Sequence, residues 1–547
     1  MKVALLSNIN ADPINRYLNG CKDIEIYEPQ GYGNELGVLL NRDSSLYDFA
    51  PDMVFIITDL MELIGRDLEI TAAGKKIDEW FALFESSLSE GTVFYVSDAF
   101  VHGFEVDLVW ERSVITAVEN KWDENLYALA NKYSNVRVFG LNRIIRLYGE
   151  SNAFSRKMWY MGKILYSAVL QKALAEEIIH RTEIEIRQPK KALLLDLDNT
   201  LWRGLAGEND ISPVILSEDG VGLAYKNFQR GIKLLKSQGV ILGIVSKNNE
   251  DDAISIIENH PHMVLRLEDF ATYRINWENK AENIVSISKE LNIGLDSIVF
   301  IDDNKAEQAL IREALSQVYV PDFPVNPEEL SSFIAEIYRQ CFEKPIVTDE
   351  DKNKTKQYRE NQTRKQLMKA SVDFAGYLDN LEMRMIRVNP EKHKERLLQL
   401  VNKTNQFNLT TRRLTEQELA NILRDNNSEV FLYRVLDRFG DNGIVAAAMV
   451  EYRNEAVITE FTMSCRVMGR KIEDAVIDDI EKYSASRGYG ELVGIYIPTE
   501  KNKPVKDLYS SLGYKKREVC DDGTFEFVIS LKDDLVRDIH VERTTEV

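Results

Sequence analysis

Four short stretches carry side chains that could do chemistry together. LLLDLDNTLWRG (193–204) ends an apolar run in Asp196 and Asp198, and IVSKNN (244–249) ends another in Ser246. NWENKAENI (276–284) sets Lys280 at the start of an amphipathic segment, and VFIDDN (299–304) ends a third apolar run in Asp302 and Asp303. Residues two apart on an extended strand can face the same way, so Asp196 and Asp198 can address one ligand. One carboxylate can attack while the other moves a proton. A hydroxyl and an ammonium suit phosphoryl oxygens, and the remaining carboxylates suit a hard Mg²⁺ ion, which together make a phosphoryl-transfer set.

Ligands of an open parallel sheet sit beyond the carboxyl ends of its strands, so the set requires an α/β framework that ends several strands at one edge. KALLLDLD, VILGIVSKNN, SIVFIDDN and VYVPDF supply such strands, with a helix carrying Phe228, Ile232 and Leu235 at i, i+4, i+7 between them. This α/β domain is expected over 188–348. Fifty residues from Asp196 to Ser246 and 34 from Ser246 to Lys280 leave little room for a large cap, so the site should be open. An open site must get its water exclusion from flanking domains or from a macromolecular substrate.

Residues 1–187 repeat the rhythm, with KVALLS, IEIYEP, MVFIIT, TVFYVS and VRVFGL as strands of a parallel α/β sheet and a long helical region over 155–184 leading out. The charged stretch 349–370 reads as a solvated linker or helix. In 371–547, VFLYRVLD, GIVAAAMVEYR, AVITEFTMS and ELVGIYIP follow one another with few helices, one of them carrying Val476, Ile480 and Tyr483, which predicts an α+β domain on a largely antiparallel sheet. The closing VERTTEV reads as frayed.

The chain of 547 residues is 44% hydrophobic and 29% charged, the balance of a folded multidomain protein. A net charge of −20 disfavours nucleic acid and anionic lipid as partners. The four cysteines, Cys21, Cys341, Cys465 and Cys520, form neither a CxxC site nor a disulfide framework, and no apolar run is long enough to span a bilayer, so a cytoplasmic location is expected.

DLDNT, S, K and DD, in that order and after the right strands, resemble the four motifs of the haloacid dehalogenase (HAD) phosphotransferase superfamily. The resemblance implies that Asp196 is the nucleophile forming an aspartyl-phosphate and Asp198 the general acid and base. It implies that Ser246 and Lys280 bind the phosphoryl group, and that Asp302 and Asp303 hold Mg²⁺ with Asp196 and the backbone carbonyl of Asp198. Thr200 supports the loop, and Asn199, Thr200 and Asn248 fall at the substrate.

Further on, Arg466 and Gly469 resemble the R/Q-x-x-G-x-G/A loop of GNAT-fold acyltransferases, which cradles the pantetheine pyrophosphate; Lys471 departs from that pattern, which expects Gly or Ala. With VNKTNQFNLTTRRLT (401–415), DRFGDNGIV (437–445), SCRVMGR (464–470) and YIPTEKN (496–502), the whole arrangement looks like the FkbH-like family. That resemblance implies an N-terminal SGNH-hydrolase-like domain (an SGNH/flavodoxin-like parallel α/β fold), a capless HAD domain and a GNAT-like domain. It also implies transfer of a glyceryl group from bisphosphoglycerate to an acyl carrier protein thiol with loss of phosphate. Mg²⁺ and the pantetheine arm of a carrier protein, or coenzyme A, are the implied cofactors. Cys465 is a candidate thiol or a small buried apolar residue. Asn405, Gln406 and Asn408 could bind an amide of the arm or form a turn network. Ser7 falls where an SGNH nucleophile would sit but lacks the flanking motifs, so the first domain reads as non-hydrolytic. A plain phosphatase acting on a small phosphate ester or acyl phosphate, and a non-catalytic carrier-protein assembly module, are the competing functions.

Overall fold

The structure, a computed structural model, describes residues 1–547 apart from 30, 66–69, 90, 103–111, 207–213, 348–359, 361–363, 365–366, 369–372, 465–466, 520–522, 532–536 and 547. The chain divides into two compact units, Met1–Gln188 and Pro189–Val547.

In the first unit β1 (Lys2–Ser7), β2 (Glu25–Tyr27), β3 (Met53–Ile57), β4 (Val93–Ser97) and β5 (Val136–Phe139) pair in parallel in the order β2-β1-β3-β4-β5. The central strands are buried on both faces, which is why KVALLS and MVFII are near-continuous apolar runs rather than alternating ones. The helical region after β5 breaks into Arg156–Gly162 and Ala168–Ile186, because Lys163 adopts a left-handed φ of 56° and ends the first helix.

The second unit holds two sheets. β6 (Ala192–Leu195), β7 (Ile241–Ser246), β8 (Thr272–Ile275) and β9 (Ile298–Ile301) form a parallel sheet in the order β8-β7-β6-β9. Phe228, Ile232 and Leu235 of helix Gly220–Ser237 are buried in the core on one of its faces. No cap lies between Asp196 and Ser246 or between Ser246 and Lys280 among the described residues.

The other sheet contains β10 (Met383–Arg387), β11 (Ser428–Asp437), β12 (Gly440–Tyr452), β13 (Ala456–Met463), β14 (Glu491–Tyr496), β15 (Lys515–Val519), β16 (Phe525–Ser530) and β17 (Val541–Thr545). Its order is β15-β16-β14-β13-β12-β11-β10-β17, antiparallel except at β13–β14 and β10–β17, as the strand-to-strand connections predict. The tail is not frayed: β17 pairs along β10 from Met383↔Val541 to Arg387↔Thr545, and Arg543 donates to Asp478. A short polar strand satisfies there the backbone edge that β10 would otherwise expose.

The charged stretch 349–370 lies mostly outside the described residues. Within it Arg364 is not solvated: it is 1% exposed, and its Nε and Nη2 each donate to Asp437 at 2.7 Å. Among the described residues no helix is long and apolar enough to cross a membrane.

Candidate active site

Adjacency in the parallel sheet assembles the acids. β6 is flanked by β7 and β9, so Asp196 and Asp198 after β6, Ser246 at the end of β7 and Asp302 and Asp303 after β9 share one carboxyl edge. Three asparagines set the loops: Asn249, Asn279 and Asn304 each accept from a backbone N–H two residues on and start the helices Glu250–Asn259, Lys280–Leu291 and Lys305–Ala314. Lys280 is therefore the first residue of its helix, where the helix dipole opposes a cation. Two carboxylates offset this, with Nζ 2.9 Å from Asp196 Oδ1 and 2.6 Å from Asp302 Oδ2, all three side chains being buried.

Asp198 is clamped from three directions. Its Oδ1 accepts from Trp202 Nε1 at 2.9 Å and from the Ala206 N–H at 3.0 Å, and its Oδ2 accepts from Asn248 Nδ2 at 2.9 Å. Thr200, fully buried, accepts from the Asp303 N–H at 3.1 Å and donates to Asp303 Oδ1 at 3.3 Å. Burial raises the carboxyl of Asp196, and Asp302 adds to this, while the Lys280 ammonium and the Ser246 hydroxyl favour its ionised form. Burial also raises Asp198, against the hydrogen bonds from Trp202, Ala206 and Asn248. Carboxylate oxygens of Asp196, Asp302 and Asp303 all lie within 4.8 Å of one another, a hard-oxygen set that fits Mg²⁺.

Each HAD-motif residue singled out in the sequence thus meets the others at this edge. Thr200 serves Asp303 rather than open space. Asn199 turns the loop, with a left-handed φ of 55° and Oδ1 accepting from the Gly204 N–H at 3.0 Å. Asn248 orients Asp198.

The C-terminal candidates are more dispersed. Asn405 Oδ1 accepts from Arg413 Nη2 at 2.5 Å, and Gln406 Oε1 accepts from Asn292 Nδ2 at 3.1 Å at the surface. Asn408, fully buried, bonds the backbone of Val401, Thr404, Thr410 and Thr411, which is the turn network. Cys465 and Arg466 lie outside the described residues. Gly469, with a φ of 74°, leads into helix Ile472–Ser486, where Lys471 stands at the N-cap with a φ of 53° and pairs with Asp538 at 3.0 Å. Glu473 and Asp474 fill the first turn, so a pyrophosphate docking on that helix start would meet two carboxyl groups.

A second buried cluster went unread in the sequence. Glu460 on β13 is 1% exposed; its Oε2 accepts from the Thr410 hydroxyl, and its Oε1 has no hydrogen-bond partner. Burial pushes its carboxyl up to about 7, against the Thr410 bond and the charges of Arg412 and Arg413. The charge of Glu460 in turn acts on Tyr509, whose buried hydroxyl also has no partner. β13 and β14 pair only from Ala456↔Leu492 to Ile458↔Gly494. Beyond that they are bridged through Leu409, which donates to Phe461 O at 3.0 Å and accepts from the Ile497 N–H at 2.8 Å. Simple alternation would set Glu460 with Ala456 and Ile458, but a register shift between Val450↔Ile458 and Met449↔Glu460 turns it to the opposite face of β13, beside Met449.

A four-stranded parallel sheet that gathers Asp-x-Asp, Ser, Lys and Asp-Asp at one edge defines a HAD-type phosphatase domain. Among solved structures, the chain is similar to the N-terminal part of protein BF1531 from Bacteroides fragilis, which contains a phosphatase domain and is complexed with Mg, at 30% identity and a TM-score of 0.53 over 63% of this chain and 94% of that one. The chain belongs to the family of that phosphatase-domain protein. It is also similar to the ribosomal-protein-S18-alanine N-acetyltransferase from Escherichia coli (12% identity, TM-score 0.21, 27% of this chain and 94% of that one). A third similarity is to the paiA N-acetyltransferase from Thermoplasma acidophilum in complex with coenzyme A (17% identity, TM-score 0.18, 21% and 70%). No protein-family model and no curated protein matches the chain.

Proposed function

We propose that the chain is a Mg²⁺-dependent HAD-type enzyme that removes phosphate from a small phosphorylated molecule through Asp196, and that it joins this to transfer of an acyl group from an acyl phosphate to the thiol of an acyl carrier protein. The observation that carries the first part is the meeting of Asp196, Asp198, Ser246, Lys280, Asp302 and Asp303 at one sheet edge. Asp196 attacks phosphorus as the bond to the leaving oxygen breaks, and protonated Asp198 donates its proton to that oxygen. Asp198, now ionised, takes a proton from the water that hydrolyses the aspartyl-phosphate. Lys280 and Ser246 hold phosphoryl oxygens and favour the ionised form of Asp196 against its burial. Asp196, Asp302, Asp303 and the Asp198 carbonyl would hold Mg²⁺, which supplies charge stabilisation when bound.

The transfer reading draws on the C-terminal domain. Glu460 is a buried carboxyl suited to take a thiol proton. The thiolate then attacks the acyl carbon, the carbon–oxygen bond breaks, and phosphate leaves. A glyceryl group arriving as bisphosphoglycerate needs both chemistries: thioester formation at the acyl phosphate, and cleavage of the remaining phosphate ester at Asp196. Glu473 and Asp474 at the helix start favour a carrier-borne pantetheine arm, which has no pyrophosphate, over coenzyme A. In the first unit the Ser7 hydroxyl donates to Ile57 O at 2.6 Å and accepts from the Ile9 N–H, which supports a non-hydrolytic role.

The test incubates the protein with Mg²⁺, candidate acyl phosphates and phosphopantetheinylated carrier proteins, and reads carrier mass and free phosphate together. Phosphate without a carrier adduct leaves only the phosphatase, and Asp196-dependent turnover excludes a non-catalytic assembly role. Intact mass of Cys465→Ala beside wild type decides the thiol: an equal acyl adduct on both removes Cys465 from the pathway.

A further inference from the structure

The first unit contains a cavity of about 260 Å³ at the carboxyl ends of β1 and β2, between the helices Asp12–Leu18 and Glu35–Leu40. Ser7, Asn15, Tyr27, Tyr32, Glu35 and Val38 contribute to its wall. Several polar groups there are already used by the protein. Ser7 is bonded to Ile57 O and the Ile9 N–H, and the Tyr27 hydroxyl pairs with Ser45 Oγ at 2.9 Å. Two are not fully used, and both are acceptors. Asn15 is 6% exposed, and its Oδ1 is buried with no hydrogen-bond partner. Glu35 is 7% exposed, and the one side-chain donor bonded to its carboxyl is the indole of Trp80, at a long 3.4 Å. Buried acceptors are seldom left in this state, and the exceptions ask for an explanation.

We propose that this cavity binds a small primary amine, whose ammonium donates to Asn15 Oδ1 and to the Glu35 carboxylate. An ammonium offers three donors and a charge that offsets a buried carboxylate. Tyr27 and Tyr32 add aromatic rings to the wall, a residue type that suits a cation, and Val38 adds an apolar surface. An anion would face a carboxylate and an unpaired carbonyl oxygen, so the site selects against phosphates and carboxylates. At about 30 Å³ per heavy atom the space holds about eight or nine such atoms, which sets the size class. The carboxyl end of a doubly wound sheet is also where such folds bind small ligands. This inference is independent of the phosphoryl chemistry of the second unit.

The test titrates the full-length protein with propylamine, ethanolamine and, as the isosteric anion, propionate, following saturation by ligand-observed NMR and calorimetry. The amines are expected to saturate in the millimolar range or below, and propionate is not. Asn15→Leu and Glu35→Gln should each weaken amine binding by about tenfold or more. Asn15→Leu also has a readout that needs no ligand: with the unpaired acceptor gone, the melting temperature of the first unit should rise by a few degrees. Propionate binding as tightly as propylamine, amine affinity unchanged in both variants, or a fall in melting temperature for Asn15→Leu would each overturn the proposal.

Discussion

Glu460 makes the second buried cluster measurable. Its carboxyl has an ordinary value of 4.5 and is raised to about 7 in the fold, chiefly by burial. A raised carboxyl means that the folded state holds a proton that the unfolded chain has already lost, so this group weakens the fold as pH rises. The penalty is absent below pH 4.5, develops between about 4.5 and 7, and is complete above 7. A shift of about 2.5 units at 1.36 kcal/mol each gives about 3 kcal/mol at pH 8 and about 1 kcal/mol at pH 5. Glu460→Gln keeps an oxygen to accept from Thr410 and cannot ionise, so it should outlast wild type by about 3 kcal/mol at pH 8 and by much less at pH 5. With residues 371–547 unfolding as a domain of their own, each kcal/mol is worth about 2–4 °C, so calorimetry should show that transition about 6–12 °C higher in the variant at pH 8. Every other titrating group is shared by the two proteins and cancels in the comparison. A gap between them that does not change from pH 5 to pH 8 would refute the reasoning, because Glu460 would then titrate normally. The same residue should divide the two chemistries: thioester formation rises with pH through about 7 and is lost in Glu460→Gln, while phosphate release from a simple ester is retained.

Three further predictions follow from buried pairs and close packing. Lys280→Met leaves Asp196 and Asp302 facing each other without a cation, so phosphate release should vanish and stability in EDTA should fall by about 3–5 kcal/mol, read from urea unfolding. Asp437→Asn removes the nearer counter-charge from Arg364, which keeps Glu360 at 3.5 Å, and the carboxylate 3.2 Å from Arg470 Nη1, and should lower the urea midpoint by a smaller free energy, about 1–3 kcal/mol. Gly494→Ala would place a Cβ 2.3 Å from the ring of Tyr509; about 1–3 kcal/mol of overpacking should displace the tyrosine and slow carrier loading, with phosphate release as the unaffected control.

What the sequence disclosed and what it withheld divide along physical lines. The acids of the HAD-type site were legible because each stands where an apolar strand stops, and parallel strands must be apolar throughout to be buried on both faces. The strands ALLL and IVFI are apolar to their last residue, and the aspartates follow them directly. Their supports were harder to see. Trp202 reaches Asp198 from the same loop, but Asn248 comes from the end of β7, and only the pairing of β6 with β7 brings it to Asp198. In the antiparallel sheet the reading failed where partners are distant in the chain: VERTT has little apolar content of its own and becomes β17 because β10, over 150 residues earlier, presents an edge. Arg364 misled for the complementary reason, since a charged residue in a charged stretch gives no local hint of the buried carboxylate that claims it. Glu460 is the instructive case. A bulge in AVITEFTM turns it away from the face of Ala456 and Ile458 to that of Met449, which simple alternation does not disclose, and a buried carboxyl needs either a partner or a task. Thr410 partners one of its oxygens, and the oxygen without a bond is the one left for chemistry.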